Sequence, residues 1–474
     1  MKKAILLLGA PLFLFAYTID FETSLNKTIQ NNKGLKAKKL EIDASKEELN
    51  EVKGYNYGSL VFNENISRTN NAGYVFGMKM ASREASFGDF GFNEFLTPLG
   101  GAIYGASQGQ APSDMSGLLA TEPEDLNNPD ARTNYETKVT YKVPLFTGFK
   151  LQNGKKMAKL QVLAKSALYN YDKKALGLEV LKAYNGAVAS KEFIKATKKA
   201  KEATNSFVNF ANELYNEGLV TNIDVKQALV YDMGVDTHMI EAKNRYDLAL
   251  SYLRFLTSDD TITDVKEFQN ISNDNLELNS LQDKAHTNRD DFLSMQYNKD
   301  TMKIKIDYES SNNYPTIGAQ LEYGYNDNSL NNINSDHDYY LGAVGLSYTL
   351  FDGFISNSKK QKAKIEYKKT KNYFEYMKDG IKLEIEKNIL NLQAKEKILK
   401  QKIKAQNLAQ EVLEQSQEMY KNQLINMSNL LMQQAASQQA NAQTIMAKYE
   451  KSLAAATLKI SLGDTLQKGV DNVK

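Results

Sequence analysis

Residues Leu145-Phe-Thr-Gly-Phe149 return as Leu350-Phe-Asp-Gly-Phe354, 205 positions later. The offset runs without a gap for about 75 residues, a span in which self-similarity marks a repeated structural unit. Ala158/Ala363, Lys159/Lys364, Tyr171/Tyr376, Glu179/Glu384, Glu213/Glu418, Tyr215/Tyr420 and Leu219/Leu424 all fall into that register. Upstream, Leu35/Phe292, Leu40/Tyr297 and Tyr57/Tyr314 match at 257 instead. The first half therefore carries an insertion of 257 − 205 = 52 residues between Asn63 and Asn134. A length of 474 residues alone would suggest about three domains. The duplication replaces that expectation with one unit built twice.

Proline placement says what the unit contains. The 7 Pro sit at 11, 98, 112, 123, 129, 144 and 315, so 145–314 and 316–474 contain none. An interior Pro costs a helix about 3 kcal/mol, so both stretches have room for very long helices. Residues 355–420 hold a single Gly, Gly380, and predict one helix about 100 Å long. Ile385, Ile389, Leu392, Leu399 and Ile403 form a heptad-like seam, which Val180, Tyr184, Ala187 and Ile194 repeat in the first half. Lys, Glu, Gln and Asn fill most other positions, so each helix has a thin apolar stripe and needs neighbours on both sides.

Four segments interrupt the helices with a period of two. In Leu341–Leu350, Val344, Leu346, Tyr348 and Leu350 oppose Ala343, Gly345, Ser347 and Thr349. In Pro315–Tyr325, Ile317, Ala319, Leu321, Tyr323 and Tyr325 share one face. Val139, Tyr141, Val143 and Leu145 oppose Lys138, Thr140 and Lys142, and a fourth strand falls near Tyr55–Ile66. Strands of this length and alternation suit a tilted outer-membrane barrel, and equally an ordinary half-buried antiparallel sheet. Long thin helices cannot cover such a sheet, and four strands cannot close a membrane barrel, whose smallest form has about 8. The pattern predicts a barrel closed by several copies and continued by a helical tube.

Composition removes other classes. Lys+Arg 59 against Asp+Glu 57 leaves a net charge of +2, too little for a nucleic-acid surface. With Cys 0 there is no disulfide framework, thiolate metal site, Cys nucleophile or lipid-bearing Cys. His238, His286 and His337 are widely scattered and give a His-based metal or triad site little material. No enzyme, cofactor or metal is expected. Met1-Lys2-Lys3 and the apolar run to Ala16 read as a secretory signal, too short to span a bilayer.

Taken together, the duplicated junctions 144–149 and 349–354, the tip Tyr215-Asn-Glu-Gly-Leu-Val220, and the inserted segments 75–79, 87–90 and 126–131 resemble the TolC-type outer membrane efflux proteins. The likeness covers nearly the whole chain beyond the signal. It implies a homotrimer with a 12-stranded outer-membrane barrel and a periplasmic helical barrel, acting as a passive exit duct. The implied partners are a periplasmic adaptor (membrane fusion) protein, an inner-membrane pump that supplies the energy, and outer membrane lipid; nucleic acid is not among them.

The resemblance also implies a gate at the end of the helical tube. Asp224 and Tyr420 fall at link-forming positions, but the usual Arg partner is replaced by Ile425. The family's acidic constriction ring falls at Asn429 and Met432, which implies a weaker closed lock and weaker block by multivalent cations. Gly218 fits the tip turn, whereas its counterpart is Gln423. A bland alternative for Asp224 is a helix-start residue favoured by the helix dipole.

The expected organisation is a signal over 1–16, a first-repeat helix over 17–54, and strands over 55–66 and 134–146. A large surface loop fills 67–133, rich in Gly, Asn, Ser and Pro. A helical hairpin covers 147–256 and an equatorial connector 257–281. The second repeat follows with a helix over 282–313, strands over 314–326 and 339–351, a hairpin over 352–462 and a tail over 463–474. The rival from another class is an exported coiled-coil or adhesin-like structural protein without a channel.

Overall fold

The computed structural model describes residues 17–111, 114–272, 277–330 and 335–467. The signal expected over 1–16 and the last part of the tail, 468–474, lie outside the described residues. The first repeat runs β1 (Tyr17–Ile19), α1 (Phe21–Asn31), α2 (Lys33–Gly54) and β2 (Ser59–Thr69). The insertion follows with α3 (Ala72–Ala81), α4 (Phe92–Ser107) and α5 (Glu124–Asn127). Then come β3 (Arg132–Thr147), α6 (Lys150–Asn216), α7 (Asn222–Thr257) and β4 (Ile262–Val265). The second repeat runs α8 (Leu278–Asn288), α9 (Asp290–Ser310), β5 (Thr316–Asp327), β6 (Asp338–Ser347), α10 (Ile355–Lys421) and α11 (Met427–Ser461).

The duplication is written into backbone geometry. Helices α6 and α10 are both 67 residues long and begin 205 positions apart. Left-handed backbone recurs at the same offset, at Gly148/Gly353, Phe149/Phe354, Gly218/Gln423 and Ser258/Gly463. Each pair reverses or redirects the chain at an equivalent element boundary. Positive φ is cheap only for Gly, so its recurrence at Phe and Gln shows that the turn, not the residue type, is preserved between the halves.

Two compact units emerge. One comprises 17–46, 159–302 and 366–467 among the described residues and is mainly helical. Its larger core packs Ile19, Phe21, Val180, Tyr184, Leu253, Ile262, Ile385 and Leu458. Parallel pairing of β1 with β4 holds the two ends of the first repeat together. Asn185 fixes the connector by donating to the Gln269 carbonyl at 3.2 Å and accepting from the Gln269 N–H at 3.0 Å. Arg289 is buried and forks onto Asp291 at 3.0 and 2.7 Å, reaching Glu384 at 2.6 Å and the Ser461 carbonyl at 3.1 Å. The predicted seams are mostly covered. Val180, Tyr184, Ala187, Ile385, Ile389 and Leu392 are buried, while Ile403 is exposed. Further apolar stripes lie bare at near-heptad spacing, Met233, Ile240, Leu248 and Phe255 on α7 and Tyr376, Leu383, Leu390 and Ile398 on α10.

The other unit, 47–158 and 303–365, holds a four-stranded antiparallel sheet in the order β2-β3-β5-β6. Pro144 cannot donate to a strand ladder, and the β3–β5 register slips between Pro144 and Phe146, beside it, as expected where a strand must absorb a missing donor.

Several boundaries differ from the sequence reading. The segment 17–54 is a strand and two helices, broken at Asn32, whose Oδ1 accepts from the Leu35 N–H at 3.0 Å and whose N–H reaches the Thr28 carbonyl at 2.9 Å. That residue caps both helices at once. The strand expected over 55–66 is β2, Ser59–Thr69, because Tyr55–Tyr57 continues α2 as a 3-10 turn. The last strand ends at Ser347, leaving Tyr348 and Leu350 outside the ladder. The insertion is not a plain loop. Asn71 accepts from the Tyr74 N–H to start α3, and α4 continues through Pro98. Its Gly and Pro read as breakers, yet α4 runs through Pro98, Gly100, Gly101 and Gly105.

Candidate functional site

Register decides which strand residues share a face. Phe62, Val139, Tyr323 and Tyr340 lie in one row across the sheet, with Leu60, Tyr141, Leu321 and Gly342 in the next such row on that face. Val143, Ala319 and Val344 continue the same apolar surface. Nothing among the described residues covers it, since Phe62 is 66% and Val344 71% exposed.

The opposite face carries a polar network. Lys138 Nζ lies 2.7 Å from Glu136 and 3.8 Å from Glu322. Thr140, Gln320 and Tyr339 all donate to Glu322, at 3.0, 3.3 and 3.1 Å, and Asn65 donates to Glu136 at 2.9 Å. Strands β2 and β6 each have a neighbour on one side only among the described residues. Open edges on a sheet with one bare apolar face leave room for further strands, and exposed patches of this kind mark interaction surfaces. No described helix is long and apolar enough to cross a membrane.

The second feature is the paired hairpin tips. After α6, the Gly218 and Leu219 N–H groups return to the Tyr215 and Leu214 carbonyls at 3.0 and 2.8 Å. After α10, Gln423 and Leu424 return to Tyr420 and Met419 at 2.9 and 2.8 Å. Helices α7 and α11 then start from Thr221 and Asn426. Asp224 accepts from the Thr221 N–H at 3.1 Å and from its hydroxyl at 2.8 Å. It therefore serves a capping box at the start of its own helix. The Thr-Asn-Ile-Asp run 221–224 carries that signal in the sequence.

Tyr420 is buried in the tip core with Phe207, Leu214, Val225, Leu413 and Met427. Its ring meets Phe210 edge-on at 5.8 Å, and its hydroxyl has no hydrogen-bond partner among the described residues. Burial, reinforced by the charge of Asp224, pushes the Tyr420 phenol up to about 12. Ile425 packs against the same core. Asn429 and Met432 are exposed, with Asn429 donating its N–H to Asn426 Oδ1 at 2.9 Å. Asp224 and Tyr420 are thus close, while Asn429 and Met432 face away from the tip core.

Sequence reading missed two charged clusters in which residues distant in the chain meet. Lys201 reaches Asp232 at 2.8 Å and Asp236 at 2.7 Å across the first hairpin. Glu84, Asp327 and His337 converge in the sheet unit. Neither has a local motif.

The family profile described as outer membrane efflux protein matches residues 104–258 and 281–464. No curated protein matches the chain. Among solved structures, the fold is similar to the Campylobacter jejuni CmeC outer membrane channel, with TM-score 0.74 and 13% identity over 95% of this chain and 87% of that one. It is also similar to the outer membrane protein VceC of Vibrio cholerae, with TM-score 0.73 and 13% identity over 94% and 97%. The open-state MtrE outer membrane channel of Neisseria gonorrhoeae gives TM-score 0.73 and 12% identity over 95% and 91%.

Proposed function

The chain belongs to the outer membrane efflux protein family, whose members are non-enzymatic transport channels, and on that premise we propose that it is the outer-membrane exit duct of a tripartite efflux or type I secretion system. Three copies join their four-stranded sheets edge to edge, β6 of one against β2 of the next, into a 12-stranded barrel. The bare apolar face meets lipid, and the Glu136–Lys138–Glu322 face lines a watery lumen. The observation that carries this is the sheet itself, with one face apolar and uncovered, the other a polar network, and both edges unpaired among the described residues.

The bare stripes on α7 and α10 support a helical barrel in the periplasm, since each needs a neighbouring helix that the single chain does not supply. Small molecules or polypeptides pass through passively. An inner-membrane pump, coupled through a periplasmic adaptor, supplies the energy.

The hairpin tips form the periplasmic gate. Asp224 and Tyr420 stand at its links, and Tyr420 has a buried hydroxyl to offer to a neighbouring copy. Asn429 and Met432 would form rings without charge. Purified protein should run as a detergent-resistant trimer and conduct in planar bilayers, with weak block by trivalent cations because no acidic ring binds them. A soluble, non-conducting product would refute the duct, whereas near-complete cation block would refute the uncharged ring alone.

A further inference from the structure

We propose that Glu84, Asp327 and His337 form a binding site for a divalent first-row transition metal, clamping the inserted segment onto the β5–β6 hairpin. One ligand atom from each residue lies within 4.8 Å of the others. The Asp327 side chain is only 6% exposed. Its Oδ1 accepts from the Ser329 N–H at 3.0 Å, while Oδ2 has no hydrogen-bond partner. His337 Nδ1 stands 3.2 Å from that oxygen, an ion-pair distance, yet neither atom makes a hydrogen bond among the described residues. Two buried polar atoms facing each other without a hydrogen bond are costly. The cost disappears if both bind a common ion. Ligands about 2.1 Å from one metal, a usual bond length to imidazole or carboxylate, stand about 3.2 Å apart at an angle of about 100°.

Glu84 completes the set from the other side. Both of its hydrogen bonds, from Arg132 Nη2 and from the Ser82 hydroxyl, end on Oε2. Arg132 thereby orients the carboxylate as an outer-sphere partner does. Two carboxylates against one guanidinium leave one net negative charge for a dication when the imidazole is neutral. One nitrogen and two oxygens select borderline ions such as zinc over magnesium or calcium, which prefer oxygen alone.

The three ligands come from separate segments, Glu84 just after α3, Asp327 at the end of β5 and His337 just before β6. Arg83 already reaches from the same insertion to the Asp336 carbonyl at 3.4 Å and to Asp338 at 3.6 Å. The metal would lock that contact.

The test uses the full-length protein in detergent, stripped with chelator and titrated with zinc, then with cobalt as a spectroscopic stand-in. The expected result is one zinc per chain, cobalt ligand-field bands in the visible, and slower proteolysis within 72–131 when zinc is present. His337→Gln, Asp327→Asn and the milder Glu84→Gln should each weaken zinc binding by about tenfold or more and alter the cobalt bands. Absence of stoichiometric zinc in the wild type overturns the proposal. So does zinc affinity unchanged in His337→Gln and Glu84→Gln, the decisive pair if Asp327→Asn does not fold.

Discussion

At the second hairpin tip, Gln423 occupies a backbone with φ of 61°, whereas its counterpart Gly218 has φ of 75°. Both turns close with the same pair of hydrogen bonds, so the geometry is common and only the residue differs. A residue with a Cβ in the left-handed region costs about 1–2 kcal/mol. Replacing it by Gly adds backbone freedom to the open state, worth about 0.4–1 kcal/mol in the other direction. Gln423→Gly should therefore stabilise the closed tip by about 0.5–1 kcal/mol, which corresponds to amide exchange about 2- to 5-fold slower. The assay is hydrogen exchange of the full protein, read at residues 423 and 424, with Gly218 and Leu219 as the internal reference. The mirror change, Gly218→Gln, places its Cβ in open space, so any loss there comes from the backbone alone and should speed exchange. Gln423→Ala keeps the Cβ and should change little. If Gln423→Gly leaves exchange unchanged, or Gln423→Ala slows it equally, left-handed strain is not what limits this tip.

Other perturbations follow from the same geometry. A Cβ at Gly148 would stand 2.5 Å from the Ser311 carbonyl oxygen and 2.8 Å from Tyr314 Cβ, while at Gly353 it meets nothing. Gly148→Ala should cut the yield of folded protein sharply, and Gly353→Ala should cost only about 1–2 kcal/mol in thermal unfolding. Arg289→Met would leave the Asp291 carboxylate, itself 15% exposed, without its forked partner, and should lower stability by about 3–5 kcal/mol, measured by denaturant unfolding. In the insertion, the Lys79 ammonium and the Ser86 N–H hold the Asp89 carboxyl at about 2, below its ordinary 3.8. A depressed carboxyl contributes stability above its unfolded value and loses it as pH falls toward the folded one. Proteolysis of the insertion by an acid protease should quicken between pH 4 and 2, and Asp89→Asn should remove that dependence.

The sequence alone settled what repetition and periodicity can encode. The helix lengths followed from missing prolines, the face of each strand from alternation at 139–145 and 317–325, and the family likeness from repeated junctions. These signals are local or depend on a fixed offset, so no coordinates are needed to see them. Element ends were less legible. Asn32 breaks a helix that periodicity would continue, because its side chain can cap in both directions. The insertion hid three helices among its Gly and Pro residues.

Tertiary structure decided what depends on partners far apart in the chain. The capping role of Asp224 is local and readable at 221–224, but only packing shows that Tyr420 buries a hydroxyl without a partner among the described residues. Scattered histidines looked inert until the β5–β6 hairpin and the insertion brought His337, Asp327 and Glu84 together. Chain order carries the periods that build helices and strands, while a charge buried beside another depends on distances through space that no period records.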